Sequence, residues 1–104
     1  MSCHAWWHDI VPVSPSRAQP LRYDVVGPVC ESSDVLGIDR DLAVEEGSLL
    51  AILSAGAYGF VMASNYNTRP RPCEVIVDRG EAIEVRAREQ IPSLFALERR
   101  LDRG

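Results

Sequence analysis

Two short stretches hold the side chains best suited to chemistry. Residues 27–34, "GPVCESSD", set a thiol beside a carboxylate in a loop rich in proline, glycine and serine. Residues 56–67, "GAYGFVMASNYN", place Tyr58 between Gly56 and Gly59. A cysteine thiol of ordinary pKa, about 8.5, is mostly protonated at neutral pH, so Cys30 can donate a proton as readily as attack a carbonyl. Glu31, on the same loop but pointing elsewhere, can hold a substrate ammonium. The two residues read as well as a small buried apolar side chain and a solvated acid. The glycines around Tyr58 permit a tight turn or a close approach of backbone to ligand, leaving its hydroxyl to meet a phosphate or carboxylate. An aromatic at a β-bulge is the plainer alternative. Asn65 and Asn67 are suited to closing turns with their side-chain amides.

Other chemistries find less support. Cys3, His4 and His8 crowd the N-terminus with no CxxC beside them, so no metal site is expected. Phosphate-loop and dinucleotide-binding patterns are missing, as is any local signature of a Cys-His nucleophile. All 11 basic side chains are arginine. With no lysine, the chain cannot form a side-chain Schiff base.

The elements that must position these residues are short. "IVPV" at 10–13 and "RYDVV" at 22–26 read as strands, the second stopped by Gly27 and Pro28. Residues 30–37 read as a polar, turn-rich loop, and 39–46 are ambiguous. "SLLAIL", short and closed by the small residues 54–56, suits a buried strand better than a helix, and "GFVMA" at 59–63 reads as another strand. In "CEVIVDRGEAIEVRAR", Ile83, Val85 and Ala87 alternate with Glu84, Arg86 and Arg88 after the turn 78–81, which predicts a hairpin with one wet face. Ile91, Leu94, Phe95, Leu97 and Leu101 recur at helical spacing behind Pro92, which predicts a terminal helix. The expected fold is therefore mostly β: a small Greek-key-like barrel or sandwich with one C-terminal helix.

Length and charge bound the rest. A chain of 104 residues is one domain, able to bury about 65% of its unfolded surface. A net charge of −4 does not suit nucleic acid or an anionic membrane. No apolar run approaches a membrane span, and the first ten residues lack a secretory pattern, so a cytoplasmic location is expected. Three cysteines cannot all pair, which favours free thiols.

The stretches "WHDIVPV", "YDVVGPVCESSDVLG" and "EEGSLLAILSAGAYGFVMASNYNTRPRPCEVIV" closely resemble the C-terminal domain of the diaminopimelate decarboxylases, pyridoxal-phosphate-dependent enzymes with an alanine-racemase-like fold. The resemblance implies one C-terminal β domain over residues 1–104, with the family's N-terminal (β/α)8 barrel absent. It implies pyridoxal 5'-phosphate as cofactor, held by a barrel lysine, and an amino-acid substrate. Cys30 would be the proton donor after CO2 departs and Glu31 the ligand of the distal ammonium, both acting across a homodimer interface. Tyr58 would lie near the cofactor phosphate and substrate of its own subunit. The family's Arg-Pro-x-x-Tyr element is not matched: its tyrosine falls on His4, and its arginine position precedes Met1. The chain is thus expected to be inactive alone, as a truncated or separately encoded domain. The alternatives are a non-catalytic module that pairs with a decarboxylase barrel, and an inert fragment. In the family an N-terminal strand helps complete this domain, so an open sheet edge and exposed apolar surface are expected here.

Overall fold

The computed structural model describes residues 7–29 and 34–102, and the chain divides after Met62 into two compact units. In the first, β-branched and aliphatic residues build four strands: β1 (Ile10–Pro12), β2 (Leu21–Val26), β3 (Val35–Leu42) and β4 (Leu50–Ile52). β1 pairs antiparallel with β4, Ile10 opposite Ile52. The bonds Val13 N–H to Leu49 O (3.0 Å) and Leu53 N–H to Asp9 O (2.8 Å) extend that ladder at both ends. β2 pairs antiparallel with β3, from Leu21 opposite Leu42 to Val26 opposite Val35, with register shifts between Tyr23 and Val26. Beside the shift Asp39 adopts a positive φ of 53°, and its N–H donates to Asp24 Oδ1 at 3.0 Å. A single-turn helix, α1 (Gly56–Gly59), follows β4.

The centre of this unit is small. Ile10 and Leu42 are its buried apolar residues among those described, and Arg40 is buried with them. The Arg40 guanidinium lies 3.5 Å above the Trp7 ring, and its Nη1 donates to His8 O at 2.7 Å. Gly37 makes room for this arrangement. A Cβ there would stand 2.8 Å from Ile10 Cδ1 and 3.0 Å from Arg40 Nε, closer than packed atoms tolerate.

The second unit contains a 3-10 segment (Tyr66–Thr68), strands β5 (Glu74–Asp78) and β6 (Glu81–Arg86), and a 3-10 helix (Ile91–Phe95). β5 and β6 form the expected hairpin, with Ile76 opposite Ile83 and Val77 opposite Ala82, but both of its faces are exposed and not one alone. Arg79 and Gly80 at its tip have φ of 51° and 79°, as a two-residue turn of type I′ requires. At the open end Arg86 Nε meets Glu74 Oε2 at 2.6 Å.

The fold is mostly β, as expected, and its described strands make three two-stranded antiparallel sheets. Four local expectations change. The strand β4 is not buried: Leu50 is 36% exposed, and Leu49 and Leu53 beside it are 73% and 43% exposed. Residues 59–63 are not a strand: Gly59 ends α1, and a turn follows. The terminal helix is one short 3-10 helix, and residues 98–102 have no regular structure. Residues 35–42, expected as loop and ambiguous segment, are the longest strand because β2 offers them a partner. No helix among the described residues is long and apolar enough to cross a membrane.

Candidate functional site

Of the three residues expected to do chemistry, the structure places Tyr58; Cys30 and Glu31 lie outside the described residues, as do Cys3 and His4. Tyr58 sits on α1, not at a bulge. Gly59 N–H donates to Ala55 O at 2.6 Å, Tyr58 N–H to the same oxygen at 3.3 Å, and Met62 N–H to Tyr58 O at 3.1 Å. The Tyr58 residue is 57% exposed. Among the described residues a Cβ on Gly56 would meet nothing within 4 Å, and one on Gly59 would meet Ala55 Cβ at 3.9 Å. Neither glycine has a positive φ. Backbone geometry and packing within the unit therefore do not require glycine at either position. What the two glycines do is leave the backbone beside Tyr58 bare, which suits a ligand or another backbone that comes close.

At the neck of the 27–34 loop, hydrogen bonds tie residues 27–29 to Asp34 where β2 ends and β3 begins. Gly27 N–H donates to Asp34 O at 2.9 Å, continuing the β2–β3 ladder by one bond. The Asp34 side chain turns back across the neck, and its Oδ2 accepts the N–H of Val29 at 2.9 Å. A Cβ on Gly27 would collide with the Asp34 carboxylate. In the sequence Gly27 reads only as a strand stop, and the part Asp34 plays in closing the neck is not legible from residue type alone. The available signal was a glycine and an aspartate bracketing a loop between two strands, a pairing that short polar side chains use to bond nearby backbone.

In the second unit, Glu89 ties together the segment that follows Ala63. Its Oε1 accepts Arg71 N–H at 2.6 Å and Asn65 Nδ2 at 2.8 Å, and its Oε2 lies 3.8 Å from Arg71 Nη1. Asn65 Nδ2 also donates to Arg69 O at 3.0 Å, and Arg71 Nε to Ala63 O at 3.3 Å. The Arg71 N–H first and the Asn65 amide second hold the Glu89 carboxyl below the usual carboxylate range. Asn65 closes a turn, as expected from its type. Asn67 and Thr68 both have positive φ, 58° and 60°, a conformation asparagine tolerates and threonine does not favour.

Sequence and fold comparisons carry this placement to a family. Residues 1–56 match the family described as "Pyridoxal-dependent decarboxylase, C-terminal sheet domain", and the chain belongs to it. The diaminopimelate decarboxylase of Vibrio cholerae is 59% identical over 92 residues, covering 88% of this chain and 22% of that protein. That of Pseudomonas aeruginosa is 59% identical over 90 residues, covering 86% and 22%. The crystal structure of the diaminopimelate decarboxylase from M. jannaschii in complex with L-lysine superposes with a TM-score of 0.85 at 37% identity, over 94% of this chain and 23% of that one. The Helicobacter pylori enzyme complexed with L-lysine gives a TM-score of 0.81 at 41% identity, over 91% and 24%. The chain therefore spans less than a quarter of the length of these relatives.

Proposed function

We propose that the chain serves as the C-terminal sheet domain of a diaminopimelate decarboxylase, which removes CO2 from meso-diaminopimelate to leave L-lysine. The observation that carries this reading is the 59% identity to the Vibrio cholerae enzyme across nearly the whole chain. The L-lysine complexes of two structural relatives supply its chemistry, since lysine is the product such a reaction leaves. Pyridoxal 5'-phosphate, when bound, supplies an electron sink for the pair left behind by CO2. This chain has no lysine to anchor that cofactor, so the anchor belongs to a barrel domain. The exposed Tyr58 beside its bare glycines fits a residue that meets the cofactor phosphate and the substrate. Cys30 delivers the proton to the carbon that loses CO2, and Glu31 holds the far ammonium of the substrate. Both act in the site of a dimer partner.

The test is a chimera in which this chain replaces the matching stretch of the Vibrio cholerae enzyme. It should release CO2 from meso-diaminopimelate, and Cys30→Ala should lower kcat by about 100-fold or more, the scale on which a positioned acid contributes. Glu31→Gln should raise KM more than it lowers kcat. A folded, dimeric chimera with no turnover would sink the proposal. So would a Cys30→Ala chimera as fast as its parent. The chain by itself should release no CO2.

A further inference from the structure

We propose that His8 is a positioning residue for the turn that carries Tyr58. The inference rests on the reading of Tyr58 as a residue of the site, but its structural half stands on bonds within the first unit. β4 ends at Ile52 and α1 begins at Gly56. Between them the chain passes through Ser54, whose φ of 58° is left-handed. A serine keeps that conformation only where its surroundings fix it. Leu53, the residue before it, is held at both of its main-chain groups: its N–H donates to Asp9 O at 2.8 Å, and its carbonyl oxygen accepts His8 Nδ1 at 3.1 Å. Beyond Ser54, Ala55 O takes the N–H groups of Tyr58 and Gly59. The hold therefore runs without a break from His8 through Leu53, Ser54 and Ala55 to the main chain of Tyr58.

The backbone pairing of β1 with β4 ends at the Leu53 N–H, and the His8 side chain carries it one acceptor further. His8 can do this because it is itself fixed. Its main-chain oxygen accepts Nη1 of the buried Arg40 at 2.7 Å. That guanidinium lies 3.5 Å over the Trp7 ring, and Trp7 Nε1 donates to Asp9 Oδ1 at 3.2 Å. A carbonyl oxygen only accepts, so the bond to Leu53 requires the imidazole proton on Nδ1. Tyr58 is more than half exposed, so the main chain beneath it directs it more than packing does. A misplacement of about 1 Å at a binding contact is enough to cost a large factor in rate.

Nuclear magnetic resonance of the full 104-residue chain tests the hold directly. At about pH 8.5, above the ordinary imidazole pKa of about 6.5, long-range proton–nitrogen spectra should find the His8 proton on Nδ1. His8→Ala should speed amide exchange at Leu53 and Gly59 by about tenfold, leaving the β5–β6 hairpin unchanged. His8→Asn, whose amide puts a donor where Nδ1 stands, should restore both rates. In the chimera Tyr58→Phe should lower kcat/KM by about tenfold, and His8→Ala by a similar factor. In the Tyr58→Phe background His8→Ala should cost about twofold or less, because the two act through one contact. A His8 proton on Nε2 overturns the proposal, whether or not His8→Ala folds. So does unchanged Gly59 exchange in His8→Ala, and so do independent losses from His8→Ala and Tyr58→Phe. A Tyr58→Phe chimera as fast as its parent overturns the site reading of Tyr58 alone and leaves the hold standing, so the two failures are distinguishable.

Discussion

Glu89 Oε1 accepts the backbone N–H of Arg71 at 2.6 Å and the side-chain amide of Asn65 at 2.8 Å, so one carboxylate oxygen joins two points of the chain 18 and 24 residues away. Both donors favour the ionised form, and the Glu89 pKa lies below its ordinary 4.5. A carboxyl whose folded pKa is depressed stabilises the fold above its unfolded pKa and loses that contribution as pH falls through the folded value. The thermal midpoint of the chain should therefore drop on acidification below about pH 4.5, and Glu89→Gln should show a shallower acid limb from a lower starting stability. Circular dichroism melts at a series of pH values check this. Equal acid slopes in the two chains would remove Glu89 from the account.

The packing around Gly37 gives a second expectation. Ile10 Cδ1, Arg40 Nε and Arg40 Cζ lie 2.8, 3.0 and 3.1 Å from where a Cβ would stand. Ile10 and Arg40 are both buried and cannot swing into solvent without opening the centre of the unit. Gly37→Ala should destabilise the chain by about 1–3 kcal/mol, the usual result of forcing a methyl into a filled core. Trp7→Ala, which removes the ring beneath the Arg40 guanidinium, should cost about 0.5–2 kcal/mol. Urea melts at neutral pH measure both; a neutral Gly37→Ala would mean that Arg40 has another place to go.

The hairpin turn supplies a third. Arg79 and Gly80 both hold positive φ, yet arginine gains nothing from that region and asparagine tolerates it. Arg79→Asn should stabilise the chain by about 0.5–1 kcal/mol, and Gly80→Ala should destabilise it by about 1 kcal/mol or more. Because Gly80 has open space around it, the second effect is conformational and not steric. Arg79→Asn melting below the unsubstituted chain would contradict the turn geometry.

The same hairpin shows which parts of the fold sequence reasoning reaches. Alternation from Glu81 to Arg86 and a glycine-bearing turn specify it locally, and the structure follows. β1, β2 and β4 were legible for the same reason, as β-branched or apolar runs between breakers. Residues 59–63 were not: an apolar run of five fits a strand or a turn of helix equally, and here Gly59, bonding back to Ala55, ends α1 and a turn follows. β3 was hidden by Gly37 and Asp39, poor strand formers whose pairing with β2 overrides their propensity. At the candidate site, residue types pointed to Tyr58, but only coordinates show Asp34 crossing the neck of the loop.

Residues 91–101 carry a helical spacing of apolar side chains, yet regular structure stops at Phe95, and Leu97 and Leu101 are 98% and 80% exposed. Amphipathic helices are held mostly by what their apolar face packs against, and within the second unit that face stays largely exposed, with Ile91 54% and Phe95 45% exposed as well. On β5 and β6, Val77 is 74% exposed, and Ile76, Ile83 and Val85 are about half exposed. If the chain serves as one domain of a decarboxylase, such surfaces are covered in the assembled enzyme, as large exposed apolar patches usually are. Leu97→Asp and Val77→Asp should then behave oppositely in two settings. In the chain alone each should shift the unfolding free energy by no more than about 0.5 kcal/mol, and dye binding to exposed apolar surface should fall. In the chimera with the Vibrio cholerae barrel each should cost about 2 kcal/mol or more, since it buries an unpaired charge, and should lower the yield of active enzyme. Substitutions neutral in both settings would show that these faces stay in water, and would take away the physical support for an assembled partner while leaving the family relationship intact.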